Sequence, residues 1–106
     1  MGDRVTISFK SKKEESPILY HHWGGTKFPA LAKHWFKEHY KQPEYQDKDV
    51  TKVLLQFIAW LGKHSKFSDS LDLIPPGEDW DNSNNGHYTI FVDSGKMQNG
   101  AGEYIE

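Results

Sequence analysis

The sequence contains no cysteine, and none of its 106 residues belongs to a long apolar run. Without thiols the chain has no disulfides, no thiolate catalysis and no cysteine-ligated zinc or iron–sulfur site. A membrane-spanning helix needs about 20 consecutive apolar residues. The first residues lead directly into an alternating pattern from Arg4 onward, without an apolar signal segment. We therefore predict a soluble, cytoplasmic protein with no membrane partner.

The chain also lacks an excess of charge of one sign. It carries 13 basic and 15 acidic residues, for a formal net charge of −2. A balanced chain has no general attraction for nucleic acid, which argues against a nucleic-acid partner. Aromatic residues, in contrast, are plentiful, with 4 Trp, 5 Tyr and 6 Phe. We expect these large rings to supply much of the core of a single domain spanning 1–106.

Hydrophobic periodicity predicts four strands and two helices. Alternation indicates strands over 4–10, 18–23, 67–74 and 87–93, and helical spacing indicates helices over 28–41 and 50–61. Asp47 or Asp49 is expected to cap the second helix, and Gly62 to end it in a left-handed conformation. The order β-β-α-α-β-β predicts an α+β fold, a four-stranded, mainly antiparallel sheet with two helices on one face. Residues 1–93 are the expected core, and 94–106 an edge strand or a frayed tail.

The run of residues 19–25, Leu-Tyr-His-His-Trp-Gly-Gly, is the candidate functional segment because a strand there enters a double-glycine turn before a helix. Backbone N–H groups released by the glycines, a lysine and a helix start together favour a phosphate or carboxylate. The candidate ligand-binding residues are His22, Trp23, Gly24, Gly25, Thr26 and Lys27. The alternative is a tight turn in which Trp23 only covers the edge of the core.

The same segment carries a resemblance to other proteins. Through Leu19, Tyr20 and the run 22–25, followed by Pro29, the sequence resembles a group of small bacterial, archaeal and phage proteins of uncharacterised function. Their strand ends in His-Trp-Gly-Gly and is followed by a helix that opens with proline. The strand ending at Val92-Asp93 is a weaker likeness. The resemblance implies the same order of elements and the same candidate site, without an assigned activity.

Three functions fit these observations. The leading hypothesis is a non-enzymatic binding protein for a small anion or a partner protein, with no cofactor. The second is a hydrolase or nuclease-like enzyme that uses His22 with Asp79, since histidine titrates near neutral pH. The third is a dimeric interaction module, because Leu55 and Trp60 lie off the apolar face of the second helix.

No metal site is predicted. His21 and His22 are adjacent on a strand, so their side chains point to opposite faces and do not share one ion. The oxygen-rich loop 78–85 lacks the spacing of an EF-hand.

Overall fold

The computed structural model describes residues 3–39, 49–64, 71–74 and 85–105. Strands β1 (Val5–Lys10) and β2 (Ile18–His21) precede helices α1 (Lys27–His39) and α2 (Val50–His64). The other described elements are β3 (Leu71–Ile74), β4 (His87–Phe91), β5 (Met97–Gln98) and β6 (Tyr104–Ile105). The predicted α+β class with two helices is confirmed. No helix in these ranges is both long and apolar enough to cross a membrane.

The sheet differs from the prediction. The six described strands form one sheet in the order β3-β2-β1-β4-β5-β6. The predicted count of four strands is wrong, since six are described. The described pairings are mainly antiparallel, as predicted, except that β4 pairs with β1 in parallel, with Thr6 opposite His87. In addition, β5 and β6 extend the sheet beyond β4 by antiparallel pairing. The physical reason is that alternation shows which side chains face the core but not which strand edges pair. β1 thus becomes a central strand, bonded to β2 on one edge and to β4 on the other.

The sequence predicted the beginning of α2 correctly but not its end. Asp49 caps α2, since its Oδ1 accepts hydrogen bonds from the N–H groups of Thr51 and Lys52 at 3.0 and 3.3 Å. The prediction that Gly62 ends this helix is wrong, because α2 continues to His64. Glycine permits the left-handed conformation without requiring it, and the buried Leu61 keeps this turn of the helix packed on the core. The predicted strand 67–74 is described only over 71–74.

The core lies between the helices and one face of the sheet. Val5, Ile7 and Phe9 of β1 point to the same side and are fully buried. Phe57 of α2 is the centre of a ring cluster, with its centroid 6.1 Å from Phe9, 5.1 Å from Trp35 and 5.9 Å from Phe28. Its plane makes an angle of 72° with that of Phe9, an edge-to-face arrangement that aromatic pairs favour. One side chain of α2 therefore contacts both β1 and α1.

We expect Phe57→Ala to lower the free energy of unfolding by about 3–5 kcal/mol, because it leaves a cavity where three elements meet. Urea titration monitored by circular dichroism measures this loss. Leu55→Ala is the matched control, since Leu55 lies on the same helix and is 57% exposed. We expect it to change stability by less than about 0.5 kcal/mol. Equal losses in the two variants would contradict the central role of Phe57.

Candidate functional site

The turn between β2 and α1 contains two glycines that have no room for a side chain. A Cβ on Gly24 would lie 2.7 Å from the Cβ of Phe28 and 3.1 Å from the Cγ of His21. Gly25 has a φ of +58°, and its Cβ would lie 2.6 Å from Oδ2 of Asp3. Because the glycines have no side chains, Phe28 and Asp3 can pack this closely against the backbone, and the chain passes from strand to helix within a few residues. The two glycines of the predicted site thus have a clear steric role in the fold.

The two adjacent histidines have different surroundings. His21 is only 3% exposed, its ring lies 4.9 Å from that of Phe28, and its Nδ1 accepts a hydrogen bond of 3.0 Å from the N–H of Trp23. His22 is half-buried, with Nδ1 3.3 Å from the hydroxyl of Tyr20. Its ring centroid lies 4.7 Å from that of Trp23, at an interplanar angle of 73°. His21 therefore fixes the backbone of the turn, and His22 contacts the indole.

The structure brings His22 and Trp23 together on the surface. The side chain of Trp23 is 54% exposed, although its backbone N–H is bonded to His21 and its ring lies against that of His22. Thr26 and Lys27 are also exposed, at the beginning of α1. The turn therefore presents an exposed aromatic ring on an ordered backbone.

Two backbone N–H groups of this turn are already bonded within the protein, and a carboxylate lies beside them. The N–H of Gly25 donates to the carbonyl of Asp3 at 2.9 Å, and the N–H of Phe28 donates to that of Gly24 at 3.2 Å. The carboxylate of Asp3 lies against Gly25 and accepts a 2.7 Å hydrogen bond from the amide of Asn85. A phosphate approaching the turn would meet a group of its own charge.

The pairing of His22 with Asp79 stays a prediction, because Asp79 lies outside the described residues. Within the described ranges, no group of three or more His, Cys, Asp or Glu side chains is placed to hold a metal ion.

A second polar cluster lies on the sheet face opposite the helices. The Nδ1 of His87 is 2.8 Å from Oγ1 of Thr6, and its Nε2 is 3.1 Å from Oγ of Ser8. Ser8 donates its proton to Glu15 at 2.6 Å. The residue types are those of a nucleophile, a base and an acid, but Ser8 is fully buried and bonded directly to the carboxylate. This cluster joins β1, β4 and the segment between β1 and β2, and we interpret it as structural.

A groove of about 540 Å³ lies between α1, the turn after β4 and β6. We call it the lysine groove, and its lining residues are Lys33, Lys37, Ser94, Gly95, Lys96, Tyr104 and Ile105. Three of these seven residues are lysines, and none of them is acidic. Lys33 and Lys37 stand one helical turn apart on α1, whereas Lys96 follows the β4 turn.

The turn after β4 is held close to α1. The N–H groups of Ser94 and Gly95 both donate to the carbonyl of Phe91, at 3.3 and 2.7 Å. Gly95 has a φ of +75°, and a Cβ there would lie 3.8 Å from a ring carbon of Phe36 on α1. α1 is also bonded to β6, since the ammonium of Lys33 donates a hydrogen bond of 2.6 Å to the carbonyl of Ile105. The groove is therefore bounded by packed elements on two sides.

Sequence reasoning missed the lysine groove. Lys33 and Lys37 fit the solvated face of an amphipathic helix, and Ser94-Gly95 fits an ordinary turn. Neither signal shows that the turn folds back against that helix, some sixty residues away in the sequence. Asp3 and Asn85, which join the turn of Trp23, were missed for the same reason.

We expect Gly25→Ala to lower the free energy of unfolding by about 1–2 kcal/mol, because alanine is strained at this positive φ. Gly62→Ala is the control. It lies in α2 with no atom within 4 Å of its Cβ position, and we expect up to about 1 kcal/mol of added stability from helix propensity. Thermal and chemical unfolding measure both changes. A neutral Gly25→Ala would contradict the strain assigned to this turn.

Comparisons of the chain with protein-family models, with curated proteins and with solved structures found no match. The resemblance to the group of prokaryotic and phage proteins therefore stays a prediction. The functional proposals rest on the geometry of this chain alone.

Proposed function

We propose that this protein is a non-enzymatic binding protein for a small anion, and that the anion binds in the lysine groove. The observation that carries the proposal is the presence of three lysines and no acidic residue among the groove's lining residues. The sequence also predicted a small anion as ligand, but at the turn 22–27, and we place that anion in the lysine groove instead. That turn already holds the Asp3 carboxylate against Gly25.

The charges of the groove favour a phosphate over a monovalent anion. Each exposed lysine–anion pair is worth only about 0.2–1 kcal/mol, because water and salt screen it. Several lysines acting on one doubly charged group add their contributions. We expect a dissociation constant of about 10 mM for inorganic phosphate, which corresponds to about 2.7 kcal/mol.

Ser94 adds a neutral donor to these charges. Its Oγ accepts a hydrogen bond of 3.2 Å from the N–H of Lys96, which leaves the hydroxyl proton available to an anion. Backbone amides contribute less, since those of Ser94 and Gly95 already bond to Phe91. Recognition therefore depends on side chains, so charge-removing substitutions test it directly.

Binding fits this groove better than catalysis does. The lining residues supply ammonium groups, one hydroxyl, a phenol and apolar surface. A general base that works near neutral pH is most often a histidine or a carboxylate. The cluster that contains those groups, around His87, lies on β1 and β4 with its serine buried.

Titration of the ¹⁵N-labelled protein with inorganic phosphate is expected to shift the amide signals of residues 33–37 and 94–96. Lys37→Gln and Lys96→Gln should each weaken binding about fivefold, equivalent to about 1 kcal/mol. Added sodium chloride should weaken it further by screening.

Two lysines outside the groove provide matched controls, since each substitution removes the same charge. Lys63→Gln changes an exposed residue of α2, and Lys27→Gln changes the turn beside Trp23. Neither should alter phosphate binding by more than about twofold. Shifts confined to residues 22–27, with a loss of binding in Lys27→Gln, would overturn the lysine groove and favour the turn.

The exposure of Trp23 supports a second candidate function, contact with another protein copy. An exposed ring held by its neighbours loses little conformational freedom on binding, and tryptophan is enriched among residues that dominate interfaces. We expect the mass measured by light scattering to rise with protein concentration, and Trp23→Ala to abolish the rise. Leu73→Ala is the control for a similarly exposed apolar residue, since Leu73 is 53% exposed. A monomeric mass at every concentration would contradict self-association.

A further inference from the structure

One wall of the lysine groove combines a cation with an exposed aromatic ring. The Nζ of Lys96 lies 5.6 Å from the ring centroid of Tyr104. Tyr104 is 61% exposed, more than Trp23, Leu55 or Leu73, the other strongly exposed large apolar side chains of the described chain. A ligand that touches the ammonium group therefore has an aromatic ring within reach.

The ring of Tyr104 is supported from the sheet. Its centroid lies 6.2 Å from that of Phe91 on β4, at an interplanar angle of 48°. β6, which carries Tyr104, is paired with β5 through Gln98 and is bonded to α1 by the Lys33 ammonium. A ring on a paired strand with an aromatic neighbour is better ordered than one on a free loop, so less entropy is lost when a ligand stacks on it.

The size of the groove also exceeds what an inorganic anion needs. Its volume of about 540 Å³ falls within the range of about 300–1,000 Å³ that is typical of sites for organic ligands. Tyr104 and Ile105 supply apolar surface beside the lysines. The groove thus has room and suitable surface for a ligand with one anionic end and one flat, apolar end.

From the juxtaposition of Lys96 and Tyr104, we infer that the ligand is a nucleoside monophosphate or a closely similar phosphate monoester with a flat heteroaromatic ring. This inference rests on the proposed anion site and adds the class of ligand. The phosphate binds the lysines and the Ser94 hydroxyl, and the base stacks on Tyr104. Stacking between a base and an aromatic side chain tolerates any base, because every base has a π face. A phosphate dianion is a stronger partner for the Lys96 ammonium than the ring of Tyr104 is. When the phosphate binds Lys96, the base can therefore take the place of the ammonium on that ring.

Three probes separate the phosphate from the ring: inorganic phosphate, ribose 5-phosphate and adenosine 5′-monophosphate. We expect the adenosine compound to bind about tenfold more tightly than the other two, since base stacking adds to the phosphate contacts. Its adenine proton signals should move upfield on binding, as expected for a ring stacked on tyrosine. Tyr104→Ala should lower its affinity to that of ribose 5-phosphate and leave inorganic phosphate unchanged. Tyr104→Phe should retain the preference.

Trp23→Ala is the control for removing an exposed ring elsewhere, and we expect it to leave all three affinities unchanged. If the three probes bind equally well and Tyr104→Ala has no effect, the ring inference is overturned and the anion site stands. If none of them binds, the anion site itself is overturned. A preference for the adenosine compound that persists in Tyr104→Ala and disappears in Trp23→Ala would place the stacking surface at the other turn and also overturn the inference.

Discussion

The ring cluster around Phe57 is the interaction on which the rest of the structure depends. Phe57 contacts the rings of Phe9, Phe28 and Trp35, so one residue of α2 holds both α1 and β1. Phe36, on the same helix as Trp35, lies 6.2 Å from Phe9 and also supports the turn at Gly95. The position of α1 relative to that turn, and with it the width of the lysine groove, is therefore set by aromatic packing in the core.

The elements that the sequence predicted are those whose signals are local. The alternation of β1 and the spacing of α2 each indicate their own structure, and Asp49 caps the helix two and three residues from the groups it bonds. The parallel pairing of β1 with β4 needed information on a contact between residues about eighty positions apart. The same holds for Asp3 and Asn85 at the turn of Trp23. Loops and pairings of this kind are decided by tertiary packing, which a periodic pattern does not encode.

The candidate site shows the same division at the level of single residues. The sequence placed His22 and Trp23 together in the candidate site, because they are consecutive residues between a strand and a double-glycine turn. It also predicted a strand that continues to Trp23, with His21 and His22 on opposite faces. In the structure β2 ends at the buried His21, and the half-buried His22 follows the strand. The charges around the turn were not predictable, because the pairing of β1 with β2 is what places Asp3 beside Gly25. The fold thus brings a carboxylate beside the glycines, and its charge opposes the attraction for anions that the glycines and Lys27 had suggested.

The bond from Lys33 to the carbonyl of Ile105 has a consequence at the outer edge of the sheet. An outermost strand exposes backbone groups to which another molecule can add in register, which is a common start of aggregation. β6 is only two residues long, and the α1 ammonium already occupies one of its carbonyls. A short strand bound in this way is a poor template for intermolecular β-pairing. Lys33 therefore takes up one backbone acceptor of this outermost strand, apart from any ligand it helps to hold.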